Sequence, residues 1–161
     1  LRPLSFGGGQ EFGLRPGTLP THQIVGLAAA LKLVSRNRYR DLEHVGRLRA
    51  QFIEVLSARV PLRVHGAPEA TTPYIVNLSI PGIGSDALIN QCAADIAIAS
   101  GSACSSGTVE PSHVLRAMGV EGDPLYGAVR ISFDRYHTPE DIEVAVDAVC
   151  KSIKHIMELD A

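Results

Sequence analysis

The 161 residues of this chain are enough for one hydrophobic core of ordinary domain size. A net charge of −2 at pH 7 gives no general attraction to nucleic acid or to an anionic membrane, and no apolar run is long enough to span a bilayer. The three cysteines include no Cys-x-x-Cys pair and the six histidines show none of the common metal-binding spacings. Neither a disulfide framework nor a permanent metal site is therefore expected, and a reducing, cytoplasmic setting is predicted. The chain opens without methionine and soon reaches a glycine triplet, which favours a piece of a longer protein.

Residues 1–20 hold five glycines and three prolines, which predicts irregular backbone. Their composition fits either a linker or a segment whose backbone approaches a ligand closely. Arg15 and Thr18 lie just before a predicted helix, and the N–H groups at a helix start favour an anion such as phosphate. Thr21 is the predicted N-cap of that helix.

Two helical runs follow this segment. Apolar residues at helical spacing predict a first helix over 22–34 and a second over 42–56. The face opposite the second apolar stripe is rich in arginine, which is typical of a solvated helix face; a docking surface for an acidic partner is the alternative. The charged residues of this face are Arg36, Arg38, Arg40, Asp41, Glu43, Arg47 and Arg49.

The middle of the chain alternates between connectors and regular elements. Residues 57–73 contain three prolines and are predicted to be a connector. Apolar and other residues alternate over 74–80, which predicts a strand. A helix over 85–94 and a short buried strand over 95–99 are predicted next.

The following segment, 99–108, surrounds Cys104 almost entirely with glycine, serine and alanine. Such a run has little apolar surface to bury and much conformational entropy to lose, so a mobile loop is predicted. Pro111 suits the first turn of the next helix, which Gly119 is predicted to end.

A strand over 128–133 and a final helix over 138–156 complete the pattern. Val129 and Ile131 face one side of this strand, whereas Arg130 faces the other. The whole order predicts an α/β chain whose main part is a small α+β layer, with helices packed on a sheet of few strands.

The three cysteines differ in their surroundings. Cys92 and Cys150 each lie one helical turn from an apolar residue and are predicted to belong to the core. The neighbours of Cys104 cannot bury it, so it is either a reactive nucleophile or an inert surface thiol.

Arg130 is the second candidate functional residue. A planar guanidinium on the polar side of a strand is suited to bidentate binding of a carboxylate. The alternative is a surface arginine paired with Asp134 or Glu110.

Three segments carry a resemblance to a known family: GGGQEFGLRPGT at 7–18, SGSACSSGTVEPSHVLR at 100–116 and VRISF at 129–133. Together they resemble the NifS/IscS type (group I) of cysteine desulfurase, a fold-type I pyridoxal-phosphate enzyme of the class-V aminotransferase family. The resemblance covers essentially the whole chain and points to the C-terminal part of that family. It implies that 1–38 are the end of the large cofactor-binding domain and that 39–161 are the small C-terminal domain with the mobile cysteine loop.

The resemblance implies a role for one residue in each segment. Cys104 matches the cysteine that forms a persulfide, and Arg130 matches the arginine that holds the carboxylate of substrate L-cysteine. Thr18 matches the threonine that reaches the cofactor phosphate of the other subunit in a homodimer. No standing metal site is implied, although in this group the same cysteine helps to hold a nascent iron–sulfur cluster on a docked scaffold.

The implied activity is removal of sulfur from L-cysteine, which yields L-alanine and a persulfide on Cys104. The persulfide then passes to a sulfur-acceptor protein, such as an iron–sulfur scaffold in cluster assembly or a thiolation enzyme. No direct nucleic-acid or membrane contact is implied. A stand-alone persulfide carrier or docking module without cofactor chemistry is the alternative function.

The chain also departs from the family pattern. The lysine that anchors pyridoxal phosphate belongs to the N-terminal part of the family, and all three lysines here lie in predicted helices. The chain alone is therefore not expected to bind the cofactor covalently or to turn over without that missing N-terminal portion. Phe12 stands where the family commonly has arginine, and Pro16 where serine is frequent.

Overall fold

The computed structural model describes residues 1–100 and 112–159. The chain divides into two compact units, Leu1–Tyr39 and Arg40–Ala161. The described helices are α1 (Thr21–Ser57), α2 (Ser85–Cys92), α3 (His113–Ala117), α4 (Asp123–Tyr126) and α5 (Pro139–Leu159), with short 3₁₀ helices at Gln10–Gly13 and Pro68–Ala70. The strands are β1 (Arg63–His65), β2 (Ile75–Ser79), β3 (Ala99–Ser100) and β4 (Val129–Ser132). None of the helices in these described ranges is long and apolar enough to cross a membrane.

Helix α1 is continuous over 37 residues, so the prediction of two separate helices is wrong. The residues between the two predicted runs are polar, but they include neither glycine nor proline, and nothing in them breaks a helix. The prediction that Thr21 is the N-cap is also wrong. Thr21 is already helical, and the carbonyl of Pro20 accepts the first helical hydrogen bond from the Ile24 N–H at 3.1 Å.

The first unit has no buried residue along its described length, 1–39. The apolar side chains of α1 in this unit are exposed, with Val25 at 68% and Leu27 at 63% of their full accessible area. The first unit therefore presents an apolar helix surface. Contiguous exposed apolar surfaces of this kind normally mark a site of contact with another part of a protein or with a second protein.

The second unit contains an antiparallel sheet of strand order β1-β2-β4-β3. Strand β2 confirms the strand predicted over 74–80, and β4 confirms the one predicted over 128–133. Strand β1 lies inside the predicted connector, which is a correction: it is only three residues long and is too short for a periodic signal. The predicted buried strand over 95–99 is also corrected. Within the described residues only Ala99 and Ser100 form β3 beside β4, and both are half-buried.

One face of the sheet packs against the second half of α1 together with α2 and α5, and this face holds the main core. The rings of Phe52 on α1 and Phe133 after β4 meet edge to face, with centroids 5.6 Å apart. On α5 the apolar residues that recur at helical spacing are all buried: Ile142, Val146, Val149, Ile153 and Ile156. This arrangement confirms the predicted α+β layer.

The arginine-rich face of α1 is less uniform than the sequence predicts. Asp41, expected on that solvated face, is buried, and its carboxylate pairs with Arg135 at 3.2 Å and with Arg40 at 3.4 Å. A buried carboxylate needs such partners because an unpaired charge in the interior is costly. Arg47 and Glu43 do form an exposed pair one helical turn apart, at 2.7 Å.

A smaller buried apolar cluster is separate from the main core and comprises Leu115, Val120, Leu125 and Ala128. Helix α3 ends as predicted at Gly119, whose φ of +76° suits glycine. The N–H groups of Gly119 and Val120 donate to the carbonyls of Arg116 and Leu115, which is a Schellman ending.

The start of α5 is fixed by a reciprocal cap between Thr138 and Asp141. The Thr138 N–H donates to Asp141 Oδ2 at 2.8 Å, and the Asp141 N–H donates to Thr138 Oγ1 at 3.2 Å. The backbone N–H and then the hydroxyl of Thr138 hold the pKa of Asp141 below its ordinary value. The predicted helix start at Thr138 is confirmed.

This cap makes stability depend on pH in a defined direction. Because the pKa of Asp141 is lower in the folded than in the unfolded chain, its contribution is present above about pH 4 and is lost as the pH falls through the folded pKa. Asp141→Asn should lower the thermal midpoint at pH 7 by roughly 2 °C, and the difference should shrink at pH 3. The matched control is Glu140→Gln in the same helical turn, which should change little at either pH. A deficit of Asp141→Asn that grows on acidification would contradict this account.

Candidate active site

Arg130 lies in the middle of β4 and is exposed. Its neighbours Val129 and Ile131 are buried, as the alternation in the sequence predicts. The core therefore fixes the backbone on either side of Arg130, while its side chain remains on the opposite face of the sheet.

The register of the sheet places polar residues next to Arg130 on that face. Asn77 of β2 is the direct partner of Arg130, and His65 of β1 is the direct partner of Asn77. Ala99 of β3 is the partner of Arg130 on its other side. The result is a row across the four strands, defined here as the polar row, in which His65, Asn77, Arg130 and Ala99 follow one another.

The charge of Arg130 is not neutralised within the described part of the chain. Arg130 forms no salt bridge there, and the carboxylate of Asp134 instead accepts the Tyr136 N–H at 3.0 Å. The predicted alternative partner Glu110 lies outside the described residues. An exposed guanidinium that has no salt bridge within the described ranges is suited to binding an external carboxylate.

The far end of the polar row is buried and uncharged. His65 Nε2 lies 3.0 Å from Ser79 Oγ, and both residues are buried. Burial, and secondarily the positive charge of Arg63, lowers the pKa of His65. His65 is therefore neutral at pH 7 and adds no charge beside Arg130.

Beside Arg130, the Oδ1 atom of Asn77 is buried and has no hydrogen-bond partner in the part of the chain that the structure describes. Buried side-chain oxygens are normally paired, so this atom is an exception within the described part of the sheet.

The cysteines divide as follows. Cys104, the predicted nucleophile, lies outside the described residues. Cys92 is fully buried, donates to Ser152 Oγ at 3.3 Å and belongs to the core, as predicted. Burial raises the pKa of Cys92, so this thiol stays protonated. Cys150 is half-buried against the same core.

Thr18 is exposed in the first unit, three residues before α1. Arg15 Nη1 donates to the carbonyls of Gly17 and Thr18 at 3.1 and 3.0 Å, and the Gly17 N–H donates to Gln10 Oε1 at 3.2 Å. The turn is therefore held by its own side chains, and the Thr18 hydroxyl remains available to a ligand.

The residues present do not form a complete site for pyridoxal phosphate. Lys151 and Lys154 lie on exposed helix surfaces beside Asp95 and Glu158, each at 3.8 Å, and Lys32 is exposed on α1. Lys154 does line an open surface cavity, but its ammonium group already pairs with Glu158 there. Among residues 1–100 and 112–159, no group of three or more metal-ligating side chains occurs.

Comparison with known proteins identifies the family. The profile of the family described as Aminotransferase class-V matches residues 3–144. The chain belongs to this family. It is 36% identical over 159 residues to the cysteine desulfurase IscS of Pseudomonas putida strain W619, an alignment that covers 99% of this chain and 39% of the relative. The resemblance to the NifS/IscS type that the sequence motifs predict is thereby confirmed.

Solved structures of NifS-like proteins agree. A NifS-like protein superposes with a TM-score of 0.84 at 29% identity, covering 96% of this chain and 39% of the other. A NifS-like protein from Rickettsia africae gives 0.82 at 25% identity, covering 95% and 40%. The chain thus spans about two fifths of the length of these relatives.

Sequence reasoning singled out Arg130 but missed its neighbours Asn77 and His65. The alternation over 74–80 does place Asn77 on the polar side of β2. Only the pairing of β2 with β4 brings Asn77 beside Arg130, and this pairing has no local signal in the sequence.

Proposed function

We propose that this chain is the C-terminal portion of a pyridoxal-phosphate-dependent cysteine desulfurase. The observation that carries the proposal is the similarity to IscS over 99% of the chain. Arg130 supports it, because its exposed guanidinium forms no salt bridge with any described residue and an amino-acid substrate presents a carboxylate. A stand-alone persulfide carrier is not favoured, since the whole chain aligns with desulfurases.

In the proposed reaction, L-cysteine and the thiol of Cys104 yield L-alanine and a persulfide on Cys104. The carbon–sulfur bond of the substrate breaks and a sulfur–sulfur bond to Cys104 forms. The substrate carbon gains a proton, and the thiol of Cys104 gives one up, so atoms and electrons balance. Pyridoxal phosphate supplies the electron sink for this chemistry when it is bound.

Three residues of this chain contribute in the proposal. Arg130 holds the substrate carboxylate through paired charge-assisted hydrogen bonds. Cys104 accepts the sulfur. It follows Ser100 by four residues, a separation that an extended chain spans in at most about 14 Å. Ser100 pairs with Val129, the neighbour of Arg130 in β4. Thr18 donates its hydroxyl to the cofactor phosphate of the second subunit in a homodimer.

The same proposal assigns residues 1–38 to the end of a large cofactor-binding domain and 39–161 to a small C-terminal domain. The exposed apolar residues of α1 in the first unit support this, because the rest of a large domain would cover them. The anchoring lysine would come from that N-terminal portion. The free thiols Cys92 and Cys150 support a reducing, cytoplasmic location, and the sulfur acceptor is an iron–sulfur scaffold or a thiolation enzyme.

The test is to supply the complete gene product with pyridoxal phosphate and L-cysteine. L-Alanine should accumulate, and mass spectrometry of the unreduced protein should find 32 Da of added sulfur on the peptide containing Cys104, about the mass of one sulfur atom. Absence of alanine, combined with acceptance of sulfur from another persulfide donor, would favour the stand-alone carrier instead.

A further inference from the structure

The starting observation is the buried Oδ1 atom of Asn77, which has no hydrogen-bond partner among residues 1–100 and 112–159. An acceptor removed from water and left unpaired destabilises the folded state, so its retention calls for a donor in another state of the protein. The flanking residues of β2, Val76 and Leu78, are both fully buried and hold the backbone of Asn77 in place.

Two side chains of the polar row carry donors and belong to direct register partners of Asn77. His65 is one, but its Nε2 is already 3.0 Å from Ser79 Oγ. Arg130 is the other, and directly opposed residues of an antiparallel pair have Cβ atoms about 5 Å apart. The guanidinium of Arg130 carries five donors and is exposed, with no ion pair in the described ranges.

We propose that Asn77 is a positioning residue, whose side-chain oxygen accepts a hydrogen bond from Arg130 when Arg130 binds the carboxylate of the substrate. This inference rests on the proposed role of Arg130. A long exposed arginine samples many rotamers and must be ordered before it can bind a carboxylate in bidentate fashion. One N–H held by Asn77 fixes the plane of the guanidinium, and the remaining donors still face the carboxylate.

The proposal predicts a separation of function from stability. Leucine has the same branched skeleton as asparagine and no acceptor, so Asn77→Leu removes the unpaired oxygen while it keeps the number of side-chain heavy atoms. The thermal midpoint should stay the same or rise, because an unsatisfied buried group is lost. KM for L-cysteine should rise about tenfold, with kcat within about twofold of wild type, because the lost contact acts on substrate binding.

The experiment uses the complete gene product with bound cofactor and compares Asn77→Leu, Asn77→Ala, Arg130→Ala and the double variant Asn77→Leu/Arg130→Ala. Asn90→Leu on α2 is the matched control, since Asn90 is exposed and outside the polar row. A second readout is the dissociation constant for L-alanine by calorimetry, because L-alanine has the carboxylate but no sulfur to remove. Both KM and this dissociation constant should rise in the two Asn77 variants. The double variant should have the same two constants as Arg130→Ala alone, because Asn77 acts through Arg130.

Three outcomes would contradict the inference, and they are distinguishable. If Arg130→Ala raises both constants while neither Asn77 variant does, Asn77 has no positioning role and the proposed function of Arg130 stands. If Arg130→Ala leaves both constants unchanged, the role of Arg130 in the proposed function fails, and the inference about Asn77 fails with it. Additive effects of Asn77→Leu and Arg130→Ala would also overturn the inference. If Asn77→Leu fails to fold, Asn77→Ala takes its place in each of these comparisons.

Discussion

Cys104→Ser should reduce alanine release from L-cysteine by at least about a thousandfold in the complete gene product. A serine hydroxyl is almost fully protonated at neutral pH and forms no stable analogue of a persulfide, so it cannot take over the substrate sulfur. Steady-state alanine release measures turnover, and the added sulfur on the peptide containing residue 104 should disappear in the same samples.

The matched control for Cys104→Ser is Cys150→Ser. Cys150 is a free thiol that is half-buried on α5, so its replacement should leave turnover within about twofold of wild type. Full turnover in Cys104→Ser would show that Cys104 is not the sulfur acceptor.

Arg130→Ala should lower kcat/KM for L-cysteine by roughly a hundredfold, with most of the loss in KM. The expected size follows from the loss of two charge-assisted hydrogen bonds to the carboxylate. Arg130→Lys should recover only part of it, because an ammonium group keeps the charge but not the planar pair of donors. Initial rates at several L-cysteine concentrations separate the two kinetic constants.

Ser132→Ala is the control for Arg130→Ala because it lies on the same face of β4 and is also exposed. It should leave KM unchanged. Equal losses in Ser132→Ala and Arg130→Ala would indicate that disturbance of the strand, and not loss of the guanidinium, explains the effect.

The fold could be predicted where the sequence carries a long periodic signal. The apolar stripe of α5 and its Thr138 cap define that helix, and the alternation around Arg130 defines β4. The sequence could not predict β1, because three residues do not establish a period. The burial of Asp41 also escaped prediction, since its partner Arg135 is 94 residues away.

The site shows the same division between local and distant information. The polar facing of Arg130 follows from its own strand, and its proposed role follows from the VRISF motif around it. Its neighbour Asn77 depends on the register between β2 and β4, which only tertiary packing sets. Sequence patterns therefore indicate Arg130 as a functional residue. They do not indicate Asn77, which we propose orients the guanidinium of Arg130.

The sheet order has a consequence for how the protein is made. Asn77 and Arg130 are register partners although 53 positions separate them (130 − 77). During synthesis β2 leaves the ribosome well before β4, so until then it can pair only with β1 and one of its edges stays open. An open strand edge favours pairing with other chains, and contacts of long sequence separation form slowly. Strand β4, which carries Arg130, is thus also the strand that covers the open edge of β2. We expect nascent chains that stop before residue 129 to aggregate.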